Sequence, residues 1–320
     1  MVPVPGASLH WTVAPSSTSL PGYGPIGDSA TWGATWAPNR DHHVYRGPVS
    51  QYCLLPCVPT DRLVVFLPGC GGQPAGYTAF LDTAYGQGYH VIGLDYPNPC
   101  GLPCADLACF GDYRQEIAFG DATSAEAQLD GHFQDSIVKR LKALLLYLEN
   151  VDPYGHWGNF LDVDSTAPDG LRPHYDRIVF AGHSLGGGFA AYFGKRAVVD
   201  RVVMISSPAD ALDDCATGDV CCRDATSTSA TWLTGHQTPA SSYYALAHAN
   251  DFGPVNRFNR IQANWASIGV PTAWPHRIVS TAPCTDTCED PTDLDGCSPH
   301  NSVAVNPAYT TAWKAMLGTP

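Results

Sequence analysis

Ile178-Val179-Phe180-Ala181-Gly182-His183-Ser184-Leu185-Gly186-Gly187-Gly188 joins an apolar run, a Gly-x-Ser-x-Gly pentapeptide and a glycine-rich segment without a break. Arg177 to Phe180 reads as a buried strand, and Gly188 to Arg196, built largely of small residues, reads as a helix. The chain must turn sharply between them. Such a turn holds its serine in a strained conformation with the hydroxyl exposed. Gly182 and Gly186 stand where a side chain would collide with the neighbouring turn. The helix that follows Ser184 aims free N–H groups and its positive end at the same place. A bare pentapeptide would be a glycine-rich turn with an incidental serine. The strand before it and the helix after it point to a nucleophile.

The pattern extends outward from that stretch. Leu63 to Leu67 is an apolar run closed by Pro68-Gly69 and reads as a strand. Thr78 to Tyr85 predicts a helix ended by Gly86 and Gly88, and His90 to Leu94 the next strand. From Gln134 to Leu148, Ile137, Leu141, Leu144, Leu145 and Leu148 recur on one helical face, with Lys139, Arg140 and Lys142 mostly off it. Arg201 to Ile205, Ser242 to Leu246 and Arg277 to Ser280 are further strands. Strands alternating with helices predict a mostly parallel sheet with helices on both faces. Sites in such sheets lie beyond the carboxyl ends of the strands. Residues 1–40, rich in Pro, Gly, Ser and Trp, read as an irregular arm anchored by Trp32 and Trp36.

Composition sets the outer bounds. Of 320 residues, 44% are hydrophobic and 15% charged, which excludes intrinsic disorder. That length fits one α/β domain spanning 1–320. No apolar run reaches the roughly 18 to 20 residues that span a bilayer; the run Leu141 to Leu148 is short and contains Lys142. A formal charge of −13 repels phosphate backbones, so nucleic acid is not an expected partner.

Twelve cysteines, an even number, lie mostly among Pro, Gly and Asp. Disulfides formed in an oxidising compartment explain them best. Zinc is the alternative, since Cys284 and Cys288 have knuckle-like spacing, but no matching pair with His follows at a finger-like distance. Met1-Val2-Pro3-Val4-Pro5 has neither a basic n-region nor an apolar h-region. The expectation is therefore a secreted or periplasmic protein in mature form, carrying an added initiator methionine.

The Gly182-His183-Ser184-Leu185-Gly186-Gly187 elbow and the order of elements over roughly residues 60–320 resemble the α/β-hydrolase superfamily, on its lipase and esterase side. The resemblance implies an α/β-hydrolase fold and a serine esterase that works through an acyl-enzyme on Ser184. It also implies a second oxyanion donor in the loop after an earlier strand. Here that loop is Leu67-Pro68-Gly69-Cys70-Gly71-Gly72, with Pro68 where the family's His-Gly-x pattern has histidine. The donors would then be the amides of Cys70 and Leu185. Cys70 serves with its thiol free or bridged. A thiol nucleophile at Cys70 is disfavoured, since no histidine stands near it at motif spacing.

The superfamily's chain order is Ser, then Asp or Glu, then His. His300, the last histidine, lies in a loop beyond the last strand and becomes the base; His276 precedes its strand and would sit at the wrong edge. Two acids compete. Asp251 follows one strand and Asp210 the strand before it; the usual placement favours Asp251 and leaves Asp210 as the alternative acid. Either could instead cap a turn. His248 reads as a satisfied loop histidine.

Residues 97–131 and 209–241 read as cysteine-containing insertions that rim the substrate pocket, stiffened by disulfides rather than forming a mobile lid. Phe110, Tyr113, Trp157 and Trp232 are candidate pocket aromatics or ordinary packing. Asp286, Glu289, Asp290, Asp293 and Asp295 crowd the segment before His300. Asp290, Asp293 and Asp295 are a weak candidate Ca²⁺ site, but the calcium-loop signature is incomplete and a solvated acidic loop fits better. No cofactor is otherwise expected.

The leading reading is a secreted carboxylic-ester hydrolase acting on small or polymeric esters. The alternatives are a polyester hydrolase, cutinase-like or polyhydroxyalkanoate depolymerase-like, and a non-catalytic binding protein on a hydrolase scaffold. The last would require a broken catalytic set.

Overall fold

Eight short strands, the central ones largely apolar and the edge ones mixed, assemble into one sheet among the described residues. The computed structural model describes residues 10–20, 24–25, 40–47, 61–98, 100, 104–121, 135–213, 227–251, 257–282 and 298–320. The strands are β1 (His10–Val13), β2 (His42–Tyr45), β3 (Leu63–Leu67), β4 (His90–Gly93), β5 (Ile178–His183), β6 (Arg201–Ile205), β7 (Tyr243–His248) and β8 (Arg277–Ser280). Their order across the sheet is β1-β2-β4-β3-β5-β6-β7-β8. β2 runs antiparallel to both neighbours, and the pairings from β4 through β8 are parallel. This is a mostly parallel sheet flanked by helices, as the alternation of strands and helices predicts.

Parallel strands covered on both faces are apolar throughout rather than alternating. Every residue of β3 and of β5 is accordingly buried. The helices are α1 (Thr78–Gly86), α2 (Cys109–Phe119), α3 (Ile137–Val151), α4 (Leu185–Arg196), α5 (Arg257–Ile268), α6 (Pro299–Val305) and α7 (Thr310–Leu317). They divide the core in two. Phe110, Leu141, Phe189 and Trp265, from α2 to α5, pack with one face of the sheet. Phe80, Val303 and Trp313, from α1, α6 and α7, pack with the other.

The structure departs from the sequence reading in several places. The arm at residues 1–40 is not irregular throughout, because His10–Val13 pairs with β2 as the edge strand of the main sheet. Trp32 and Trp36 lie outside the described residues. The stretch 97–131 is more than a rim: it contains α2, whose Phe110, Tyr113 and Ile117 belong to the core. The stretch 209–241 carries a small hairpin, Ala211–Asp213 with Ser227–Ser229. Arg140 and Lys142 do not stay off the buried face of α3. Arg140 is wholly buried against Asp135 at 2.9 Å, and Lys142 meets Asp169 at 2.6 Å. A charge enters an interior only with a partner, and each has one.

Among the described residues, disulfides join Cys70 to Cys100 and Cys104 to Cys109. Cys53, Cys57, Cys215, Cys221, Cys222, Cys284, Cys288 and Cys297 lie outside the described residues, as does the acidic segment from Asp286 to Asp295. Among the described residues, no helix is long and apolar enough to cross a membrane.

Candidate active site

β5 runs three residues further than Phe180 and ends at His183; α4 begins at Leu185. Ser184 is left alone at the turn, with φ 52° and ψ −119°. A non-glycine residue with positive φ is held there only by its surroundings. They are visible here. The Ser184 amide donates to the carbonyl of Ile205 at 2.8 Å, which ties the elbow to the end of β6. The register pairs Leu67 with Gly182, so β3 runs beside the elbow. A Cβ on Gly182 would strike the backbone of Gly186, and a Cβ on Gly186 would strike the carbonyls of Leu67 and Pro68.

Gly186→Ala is therefore expected to destabilise the protein at or above the upper end of the ~1–3 kcal/mol seen for overpacking. The obstacle is backbone of a central strand, which cannot swing aside. A denaturant midpoint equal to wild type would show that the elbow is looser than this contact implies.

The loop Leu67–Gly72 leaves β3 directly beside Ser184. A relay of hydrogen bonds runs from the loop through Tyr77 and His183 to the His300 carbonyl. The Gly69 amide donates to Tyr77 Oη at 3.1 Å, and Tyr77 Oη lies 3.0 Å from His183 Nδ1. His183 Nε2 lies 3.0 Å from the carbonyl of His300. A carbonyl only accepts, so Nε2 carries the proton and Nδ1 accepts from Tyr77. Burial, then the neighbouring His300, lowers the His183 pKa to about 3, so this ring stays neutral. Burial also raises the Tyr77 hydroxyl to about 12.

The loop's carbonyls are tied as well. Tyr96 Oη donates to Pro68, and Asn98 Nδ2 to Gly69 and Gly72, at 2.7 to 2.8 Å. Arg40 Nη1 donates to Gly71 and Gly72 at 2.6 and 2.7 Å. The Cys70–Cys100 disulfide adds a covalent tie. With its carbonyls engaged, the loop holds the Cys70 amide in one orientation. Among the described residues, no acceptor takes the amides of Cys70 and Leu185. Both residues line, with Ser184, a cavity of about 380 Å³.

His300 lies in the first turn of α6, not in a loop; Ser298 stands at the N-cap and Pro299 supplies the first helical residue. Its carbonyl accepts from His183 and from Ser206 Oγ, each at 3.0 Å, and its ring centroid is 4.8 Å from that of His183. Its Nδ1 faces Asp251 Oδ2 at 2.8 Å. The other oxygen of Asp251 accepts from Arg257 Nη1 at 2.9 Å. Burial alone would raise the Asp251 pKa, but His300 and Arg257 outweigh it and bring it to about 2. A carboxylate acceptor at Nδ1 requires the proton there, which leaves Nε2 as the basic atom. Burial, followed by Arg257, lowers the pKa of His300 against the opposing pull of Asp251. Among the described residues, no hydrogen bond joins Ser184 Oγ to this imidazole. Bonds of this kind commonly tighten only once substrate is bound.

Asp210 sits elsewhere in the same cavity wall. Arg114 grips its carboxylate with two bonds, at 2.8 and 2.7 Å, and Trp232 Nε1 adds a third at 2.9 Å. Arg114 also donates to the carbonyl of Leu185 at 3.0 Å and lies over the Phe189 ring. Asp210 thus braces the start of α4 and makes no bond to His300 among the described residues.

His248 is buried, with Nε2 on the carbonyl of Ala282 and Nδ1 on the amide of Asn250. His276 stacks on Tyr244 and bonds the Tyr243 carbonyl at the opposite end of β7. Of the proposed pocket aromatics, Phe110 lines the cavity and Trp232 braces Asp210 at its wall. Tyr113 packs on Phe189, and Trp157 packs beyond the β1 side, against Trp11, His90 and Phe160. Asp290, Asp293 and Asp295 lie outside the described residues. Tyr77, Arg114 and Arg257 had no signal in the sequence, because each acts on a partner brought in by the fold.

No protein-family model matches the chain, and no curated protein matches it. It is similar to solved structures. A fluorophosphonate-binding serine hydrolase of Staphylococcus aureus is 12% identical with a TM-score of 0.27, over 60% of this chain and 53% of that one. A hyperthermophilic esterase from the archaeon Pyrobaculum calidifontis is 14% identical with a TM-score of 0.39, over 85% of this chain and 74% of that one. A ferulic acid esterase from Streptomyces cinnamoneus is 16% identical with a TM-score of 0.32, over 87% and 75%. The chain spans about half the length of the first of these.

Proposed function

We propose that this protein is a serine hydrolase of carboxylic esters, working outside the reducing cytosol through an acyl-enzyme on Ser184. One observation carries the reading. A serine in strained backbone geometry shares a cavity with two unengaged amides, beside a neutral histidine bonded to a buried carboxylate.

The steps follow from those atoms. Ser184 Oγ attacks the ester carbonyl as its proton passes to His300 Nε2. Negative charge gathers on the former carbonyl oxygen and is met by the amides of Cys70 and Leu185. One such donor typically contributes on the order of 3 kcal/mol to the transition state. The C–O bond to the alcohol breaks as His300 returns the proton to the leaving oxygen. A water then gives its proton to His300 and attacks the acyl carbon; the bond to Ser184 Oγ breaks as His300 returns that proton to it, which frees the acid. Asp251 holds the productive tautomer throughout and faces the imidazolium formed in each half-reaction. The Cys70–Cys100 and Cys104–Cys109 bridges support an oxidising location and a fixed rim.

A fluorophosphonate probe followed by peptide mapping tests the reading. Label is expected on the peptide holding Ser184, blocked by prior turnover with a slow ester. Label elsewhere, or none on a folded sample, would refute it. A chain-length series of nitrophenyl esters, run beside a polyester film, then identifies the acyl group.

A further inference from the structure

Acyl transfer requires one partner for the imidazole, yet Asp251 is held at both oxygens. Oδ2 faces His300 Nδ1 at 2.8 Å and Oδ1 accepts from Arg257 at 2.9 Å. Arg257 opens α5, and the next residue supplies a second tether: the Phe258 amide donates to the Asp251 carbonyl at 2.8 Å. One helix end therefore fixes both the backbone and the carboxylate. That helix is itself anchored. Trp265 Nε1 donates to the Ser207 carbonyl at 2.7 Å, and Asn264 Nδ2 to the Pro208 carbonyl at 3.0 Å. Arg257 is thus presented from a rigid base joined to the segment after β6.

The charges support the same point. The Asp251 side chain is 1% exposed and that of Arg257 13%. With His300 neutral, Asp251 would be a lone buried anion, which is costly unless paired. Arg257 supplies the cation. It also lines the cavity that holds Ser184, so it stands at the site rather than on a remote surface.

We propose that Arg257 is a positioning residue for ester hydrolysis, holding Asp251 by its far oxygen so that the near oxygen stays in line with His300 Nδ1. This rests on the reading of Ser184, His300 and Asp251 as the acyl-transfer set. A second consequence concerns pH. Among the described residues, those that face His300 are Asp251 at its Nδ1, Arg257 behind that carboxylate, His183 from β5, and the uncharged Ser206 from the end of β6. Its own short helix carries no charged residue. His183 is neutral, so among the described residues Asp251 and Arg257 are the charges that act on the ring. Asp251 favours the protonated imidazole and Arg257 opposes it. A base works only when unprotonated, so Arg257 extends turnover toward acid and its removal moves the acidic limb to higher pH.

The test measures kcat and kcat/KM against pH on a short-chain nitrophenyl ester for wild type, R257Q and R257K, with melting temperatures alongside. R257Q is expected to lose about tenfold in kcat through the misplaced carboxylate, with its acidic limb displaced upward. R257K keeps the charge but not the planar fork, so its limb stays at the wild-type pH while kcat falls part of the way. A wild-type profile in R257Q, or a loss of kcat with an unmoved limb, overturns the proposal. If R257Q does not fold, R257K decides alone: a displaced limb or an unchanged kcat overturns it. Failure of the underlying reading looks different, as an unlabelled Ser184 in the wild-type protein.

Discussion

Replacing Ser184 by alanine is expected to reduce ester turnover by several orders of magnitude, on the order of 10⁶ in kcat where a triad acts as one unit. Removing the hydroxyl removes the atom that forms the acyl-enzyme; the other serine that lines the cavity, Ser206, has its hydroxyl donated to the His300 carbonyl. The cysteines that line the cavity, Cys70 and Cys104, are bridged to Cys100 and Cys109. The residual rate would come from the amides of Cys70 and Leu185 acting on a bound ester. The fold should persist. The Ser184 hydroxyl makes no hydrogen bond among the described residues, and the amide that fixes the elbow to Ile205 is kept. Alanine meets the same strain at φ 52° as serine does. The measurement is kcat on a nitrophenyl ester, corrected for spontaneous hydrolysis, beside a thermal melt. Turnover near that of wild type in a folded Ser184→Ala sample would end the acyl-enzyme reading.

The elbow was legible because its requirements are local. A strand, two glycines and a helix within eleven residues can be read without knowing the fold. The central strands were legible for a similar reason: burial on both faces makes them apolar runs. What escaped was set by distance or by weak local signal. β2 is His-His-Val-Tyr, a sequence with two histidines that only its neighbours make buried. α5 has an unremarkable polar composition, and its Ile261 and Trp265 become a core face only against the segment after β6. The segment around His300, beyond the last strand, reads as a loop. A proline at the first helical position is equally a helix start, and the structure uses it so. Tyr77 and His183 are 106 residues apart, and Arg114 and Asp210 are 96 apart. No spacing rule links such pairs. Arg257 is only six residues from Asp251, yet no periodic element joins the two, so their pairing waits on the tertiary turn.

The two aspartates that chain order could not separate should respond differently to the same change. Asp251→Asn is expected to lower kcat by about 10⁴ while the molecule still folds, the scale of loss found when a triad carboxylate becomes an amide. The amide can offer its N–H₂ to Nδ1 and so turn the imidazole to the tautomer that cannot accept from serine. It also leaves Arg257 facing a neutral group. Asp210→Asn acts on a different balance. The Asp210 and Arg114 side chains are 3% and 2% exposed, so neutralising one leaves a buried guanidinium unpaired. Breaking such a pair costs about 3 to 5 kcal/mol. The loss should appear in the denaturation midpoint, and turnover per folded molecule should fall far less than in Asp251→Asn. Arg114 keeps its bond to the Leu185 carbonyl, so the amide side of the cavity retains its brace. Measuring both variants for stability and for kcat separates the roles. If Asp210→Asn abolishes turnover in a stable protein while Asp251→Asn stays active, the acid of the reaction is Asp210, and the 2.8 Å contact between Asp251 and His300 is structural only.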